Sequence, residues 1–137
     1  MANPAIDHIL ITVTDPERTR KFYAELLGFE VKTIAESAPG IWGGSFWFKA
    51  GAAAVFVIKH EQTEADDFFS EFRVGLDHLA FRASSEEWLE AMAAKLIASG
   101  VDTNGVEVFG HTGNKYITFR DPDNIQLEFW LPKPDEV

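Results

Sequence analysis

The sequence predicts an α+β fold made of two tandem modules, each running strand, helix, strand, strand, strand. The first observation is a self-similarity: Asp7-His8-Ile9-Leu10-Ile11 returns as Asp77-His78-Leu79-Ala80-Phe81. The second is that each copy precedes a helix pattern closed by a glycine, Gly28 and Gly100. The third is that each helix is followed by three short segments rich in β-branched and aromatic residues.

The first strand centres on Ile9, Ile11 and Val13, with Thr14 or Asp15 able to cap the helix that follows. Pro16 suits the first helical position, and Phe22, Leu26 and Leu27 supply its apolar stripe. Three strands are then expected over Phe29 to Ala35, Ile41 to Lys49 and Ala53 to His60. In the second module Ser84 with Glu87 reads as a capping box, and Trp88, Met92 and Leu96 repeat every four residues. Its strands are expected over Val101 to Phe109, Lys115 to Arg120 and Ile125 to Leu131. The turns Phe48-Lys49-Ala50-Gly51 and Phe119-Arg120-Asp121-Pro122 align the two copies and set Val57 opposite Glu128.

This divides one domain, residues 1–137, into module 1 (about 5–60), an acidic connector (61–74) and module 2 (75–132). Phe68, Phe69 and Phe72 fall at helical spacing in the connector, which predicts a linker helix over part of the core rather than a substrate lid.

Twelve basic residues against twenty-two acidic ones give a net charge of -10, which argues against nucleic acid or an anionic membrane as partner. The chain has no cysteine, so thiolate metal sites, disulfides and cysteine nucleophiles are excluded, and any metal must use His, Asp or Glu. The longest apolar run, Ala50 to Ile58, is too short to span a bilayer, and no leader pattern precedes the first module, so a cytoplasmic protein is expected.

Strand alternation sorts the polar residues. With Ile9, Ile11 and Val13 against the helices, His8, Leu10 and Thr12 lie on the opposite face. The same rule leaves His78, Ala80 and Arg82, and then Gln126, Glu128 and Trp130. If the modules curl into one mixed-sheet cup with helices outside, two imidazoles and a carboxylate share its concave side. That donor set suits Fe, Mn, Zn or Ni as a divalent ion and leaves coordination positions open. Any one of these residues alone reads as a solvated polar group, as His60 and His111 do; the repetition of His at equivalent positions is what favours a site.

Beyond these residues, the chain resembles the vicinal oxygen chelate superfamily, which includes glyoxalase I, fosfomycin resistance proteins, extradiol ring-cleaving dioxygenases, epimerases and bleomycin resistance proteins. The resemblance rests on the Asp7-His8 start, on Phe22-Tyr23-Ala24-Glu25-Leu26-Leu27-Gly28-Phe29, and on Phe119-Arg120-Asp121-Pro122-Asp123 leading to Glu128. It implies a paired fold holding one divalent metal at His8, His78 and Glu128. Glyoxalase-like members place a fourth ligand where the internal alignment puts Val57, which cannot ligate or carry a proton. The ring-cleaving signature is matched by His111 and Pro122 but has Thr118 and Asn124 where Tyr and Gly are expected, with Tyr116 nearby on the same strand face. The cationic cluster expected for a phosphonate is absent, with only Lys115 and Arg120 close by and Leu10 where a polar contact is expected.

The expected reading is a metal-dependent dioxygenase, lyase or isomerase whose small substrate chelates the ion through neighbouring oxygens. His111 or Tyr116 is the candidate acid or base. The substrate pocket is expected to use Leu10, Trp47, Val57, Thr118, Gln126 and Trp130, an apolar and aromatic surface, although Trp47 and Trp130 also suit a dimer contact. Exposed sheet edges predict a homodimer. The alternative is a metal-free protein similar to the bleomycin resistance proteins that sequesters a small cationic or aromatic ligand.

Overall fold

A computed structural model describes residues 2–34 and 44–136. The chain divides into two compact units, Met1–Asp67 and Phe68–Val137. The first holds β1 (His8–Thr12), α1 (Pro16–Lys21) continued by a π-helical turn (Phe22–Leu26), β2 (Lys32–Thr33), β3 (Phe46–Ala50) and β4 (Ala53–Ile58). The second holds β5 (Leu79–Arg82), α2 (Glu86–Ala98), β6 (Thr103–Val108), β7 (Lys115–Arg120), β8 (Gln126–Trp130) and a 3-10 turn (Pro134–Glu136). Each unit is thus the expected βαβββ module, and the α+β tandem-module class holds.

Each module forms an open four-stranded mixed sheet, ordered β1-β4-β3-β2 in one and β5-β8-β7-β6 in the other. In both, the first strand pairs parallel with the last, and the remaining neighbours are antiparallel. The helical crossover sets the second strand of each unit parallel to the first, and two antiparallel pairings then bring the last strand back to that same direction beside the first.

One face of each sheet is buried by its own helix. In the first unit Tyr23 lies fully buried with its ring 5.1 Å from that of Phe48 and 5.9 Å from that of Phe46, while Phe29 packs 4.4 Å from Phe48. In the second, Trp88 of α2 meets Phe129 edge-on at 4.8 Å, and Phe129 packs 5.3 Å from Phe119. Such ring pairs add to the apolar area they remove from water.

The helix boundaries show which sequence signals dominated. Asp15, not Thr14, caps α1, accepting from the Arg18 backbone N–H at 3.2 Å with Pro16 at the first helical position. The cap of α2 is Ser85 rather than Ser84: its hydroxyl accepts from Trp88 N–H at 3.0 Å, so Glu87 falls one position short of completing a capping box. Gly100 ends α2 at φ +73°, with its N–H donating to Ile97 and the Val101 N–H to Leu96, a Schellman closure that needs the left-handed conformation.

The strands are shorter than the apolar runs implied. The segment expected over Phe29 to Ala35 pairs only at Lys32–Thr33, and that expected over Ile41 to Lys49 pairs over Phe46–Ala50. Positions 35 and 41–43 lie outside the described residues.

The linker helix expected around Phe68, Phe69 and Phe72 is not formed. The connector is a chain of turns, closed by Thr63 N–H to His60 and Asp67 N–H to Glu64. Past the unit boundary its backbone is committed to the β7–β8 hairpin. Phe69 N–H donates to the Asp123 carbonyl at 2.8 Å, and the Asn124 side-chain amide donates to the Phe69 carbonyl at 3.0 Å. Glu71 then takes a two-pronged bond from the Arg120 guanidinium at 2.8 and 3.0 Å. A helix would withdraw these groups from the hairpin, and in the observed turns Phe68 and Phe72 are exposed.

Two predictions follow from these ties. Asp121 Oδ1 accepts from the buried N–H groups of Asp123 and Ile125 at 2.9 and 2.8 Å. Asp121→Ala is expected to lower the unfolding free energy by roughly 1–3 kcal/mol in urea titration, because it strands both donors. The Arg120 hydrogen bonds hold the Glu71 carboxyl down to about 2, against an ordinary value of 4.5. A depressed carboxyl stabilises the fold above its unfolded value, and this contribution is lost as pH falls from about 4.5 towards about 2. The urea midpoint of the wild type should therefore fall more steeply over that window than that of Glu71→Gln.

Candidate functional site

Side-chain alternation places His8 and Leu10 on the face of the first sheet away from Tyr23, and His78, Ala80 and Arg82 on the corresponding face of the second. Both histidines stand at the mouth of the first strand of their unit, directly after an aspartate. His8 Nδ1 lies 2.6 Å from Asp7 Oδ1, and His78 Nδ1 lies 2.7 Å from Asp77 Oδ1. A carboxylate accepts only, so in each pair Nδ1 is the donor, and in the neutral imidazole this puts the lone pair on Nε2. The hydrogen bond from His8, then its charge, hold Asp7 below the usual carboxylate range, which keeps it an acceptor. The repeated Asp-His pair is therefore an orienting device for Nε2 in both units.

In the second unit that lone pair has a destination. His78 Nε2 lies 3.6 Å from Oε2 of Glu128, which is 8% exposed. Burial pushes the Glu128 carboxyl up, the charge of His78 pulls it back, and Glu107 raises it further. When that imidazole is neutral, the carboxylate oxygen and the Nε2 lone pair facing each other across this gap are two acceptors with no donor between them. A proton or a metal cation is the species such a pair accommodates.

Glu128 sits opposite Thr118 on β7 and Ala80 on β5. The equivalent register in the first unit is Phe56, opposite Trp47 on β3 and Leu10 on β1. This corrects the alignment of Val57 with Glu128. Val57 pairs with Ile11 and Phe46, is fully buried, and belongs to the helix-packed face, so it lines no substrate surface. The displacement arises in the hairpins: the chain from Arg120 to Gln126 is one residue longer than that from Lys49 to Ala54, and Asn124 in it takes φ +66°. Phe56 presents its ring edge-on to His8 at 6.0 Å and stacks on Trp47 at 5.9 Å. Like Val57, it offers no ligand atom.

The structure thus brings His78 and Glu128 together, while His8 belongs to the first unit with its Nε2 oriented in the same manner. Among the described residues, no group of three or more His, Asp or Glu side chains that could hold a metal is found within either unit. Leu10 is exposed, and Trp47 is half-buried beneath the Lys32 ammonium, 5.2 Å from the ring centre.

The remaining candidates lie in the second unit. Thr118 and Gln126 line a polar cavity of about 240 Å³ with Asp102, Thr103, Asn104, Phe119 and Arg120. Tyr116 stacks on Trp130 at 5.6 Å, and its hydroxyl is pushed up by burial, then by the charges of Glu107 and Glu128, so it remains a proton donor at neutral pH. His111 lies exposed in the turn after β6, its ring 5.5 Å from Phe109. Sequence reasoning missed Phe56, Glu107 and Phe109. A step of two links Glu107 to Phe109 in the sequence, but that Glu107 shares the face of Tyr116 follows from the register, in which the two pair.

Among the described residues no helix is long and apolar enough to cross a membrane. Comparison with known proteins agrees with this architecture. YwkD of Bacillus subtilis (strain 168) is 29% identical over 136 residues, spanning 92% of this chain and 95% of its own. The glyoxalase family protein from Enterococcus faecalis is 29% identical with a TM-score of 0.69, covering 92% of this chain and 96% of its own. A glyoxylase/bleomycin resistance protein/dioxygenase domain from Frankia sp. EAN1pec superposes with a TM-score of 0.80 at 24% identity, covering 96% of this chain and all of its own. Residues 5–129 match the family described as the Glyoxalase/Bleomycin resistance protein/Dioxygenase superfamily, and the chain belongs to that superfamily.

Proposed function

We propose that this protein is a divalent-metal-dependent enzyme that acts on a small substrate carrying two neighbouring oxygens, with His8, His78 and Glu128 as the metal-holding residues. The observation that carries the reading is the 3.6 Å approach of His78 Nε2 to the buried Glu128 carboxylate, with Asp77 fixing the imidazole from behind. The same Asp-His arrangement at Asp7-His8 supports a second imidazole of the same kind. Bound there, Fe, Mn, Zn or Ni would supply Lewis-acid polarisation of substrate oxygens.

The residues of the chain divide the other tasks. Asp7 and Asp77 hold the imidazoles in one tautomer and orientation. Glu128 contributes the negative charge, and its burial strengthens the attraction for a cation. Tyr116, on the same face as Glu128, keeps a hydroxyl proton available for donation. His111 is the second candidate for moving a proton. Phe56 leaves the first unit without a carboxylate at the matching register, so proton handling by two symmetrically held carboxylates is not part of this proposal. The proposal includes a homodimer, supported by the open edges of both sheets.

Elemental analysis of protein purified without chelators tests the reading. About one divalent ion per chain is expected, lost in His78→Ala and Glu128→Ala, with Asp77→Ala weakening metal affinity roughly 10–100-fold. A metal content far below one ion per chain that is the same in wild type and variants would overturn it, and would favour the metal-free ligand-binding alternative.

A further inference from the structure

Four residues form one row across the open face of the second sheet: Glu107 on β6, Tyr116 on β7, Trp130 on β8 and Arg82 on β5. Cross-strand partners share a face, so the row carries an acid at one end, a base at the other and two aromatic rings between. The rings stack at 5.6 Å with 27° between their planes. Phe109 stands edge-on to Trp130 at 5.7 Å and to Tyr116 at 6.4 Å, walling one side of the pair. Among the described residues neither Glu107 nor Arg82 makes a hydrogen bond or ion pair with another side chain. Glu107 is nevertheless half-buried, and its charge is felt by both Tyr116 and Glu128.

A half-buried carboxylate with no ion pair favours a cation, and the exposed Arg82 guanidinium, whose charge reaches Glu136 without forming an ion pair with it, is open to an anion. The aromatic surface between them favours a flat, polarisable body. Three strand spacings separate the ends, about 14 Å between the outer Cα atoms, and the long Glu and Arg side chains shorten that span to small-molecule size. Trp130 follows Glu128 by two residues on the same face, roughly 7 Å along the strand, so a molecule lying on the row borders the His78–Glu128 pair.

We propose that the row Glu107-Tyr116-Trp130-Arg82 binds a small aromatic zwitterion, its ring on the Tyr116–Trp130 pair, its ammonium end at Glu107 and its carboxylate end at Arg82. This deepens the proposed function by naming the substrate class, and it rests on that reading in taking this face as the substrate side. A ligand with one charge satisfies one end of the row and leaves the other as it was, which makes the doubly charged ligand the preferred one.

The test uses 4-(aminomethyl)benzoate as probe, with 4-methylbenzylamine and 4-methylbenzoate as its singly charged relatives, titrated by calorimetry in excess chelator. The zwitterion should bind on the order of tenfold tighter than either relative. Glu107→Gln should erase its advantage over 4-methylbenzoate while keeping that over 4-methylbenzylamine, and Arg82→Gln should do the reverse. Equal affinities for the three probes, no binding of the zwitterion at millimolar concentration, or preferences that survive both substitutions would overturn the proposal. Because metal is absent throughout, failure here leaves the elemental analysis unaffected, and failure of the metal reading leaves these titrations unaffected.

Discussion

Glu128 is a carboxylate held almost out of water on a sheet face, and its partner is Nε2 of His78 at 3.6 Å. Burial alone pushes its proton affinity up, so the fold bears a cost for keeping it there unless a positive species shares the space. That constraint organises the rest of the second unit. Asp77 must hold the far side of the imidazole, β5 must lie beside β8 in parallel, and the crossover helix α2 must bury the opposite face. The Asp-His dipeptide at the mouth of the strand makes this possible with two adjacent residues, because the aspartate reaches Nδ1 without any tertiary contact.

Much of this was legible from local pattern. The repeated Asp-His pair, the closing glycines and the strand alternation placed His8, His78 and Glu128 on faces away from the helices, as the registers of β1 and β8 show. What failed was counting across a turn. Asp121-Pro122 begins the second hairpin where Ala50-Gly51 begins the first, but the second hairpin carries one more residue, with Asn124 in the left-handed region. A shift of one residue turns a side chain to the other face, so alignment on the turns puts Val57 at the position that the register gives to Phe56. The connector failed for a different reason. Helical spacing of Phe68, Phe69 and Phe72 is a periodicity with no burial behind it, since Phe72 is 91% exposed and the backbone bonds of Phe69 go to the hairpin. Short-range apolar spacing cannot anticipate long-range hydrogen bonds.

The two units share a backbone plan but differ on their open faces. In the first, Leu10, Trp47 and Phe56 make an apolar surface edged by Lys32, with His8 as its polar feature beside the Phe56 ring. In the second, the equivalents Ala80, Thr118 and Glu128 remove bulk and add a carboxylate. Ala80 is a much smaller neighbour to Glu128 than Leu10 is to Phe56. Pseudo-symmetry therefore gives each unit an imidazole held by its own aspartate, while its local breakdown supplies the charge.

That breakdown also bears on the chemistry. One carboxylate and two neutral imidazoles would leave a divalent ion with one uncompensated positive charge, whereas a second carboxylate at the Phe56 position would cancel it. A site of residual positive charge favours a substrate that presents anionic oxygens, and it strengthens their polarisation in a partly desolvated setting. The chain as a whole is acidic, with a net charge of -10, so a purely anionic molecule meets an opposing long-range field before it arrives. A molecule that carries a cationic group as well as its oxygens avoids that opposition, and the acid and base at the two ends of the Tyr116–Trp130 row would then align it as it docks. The acidity of the whole chain and the residual positive charge of the proposed centre thus select for the same class of ligand.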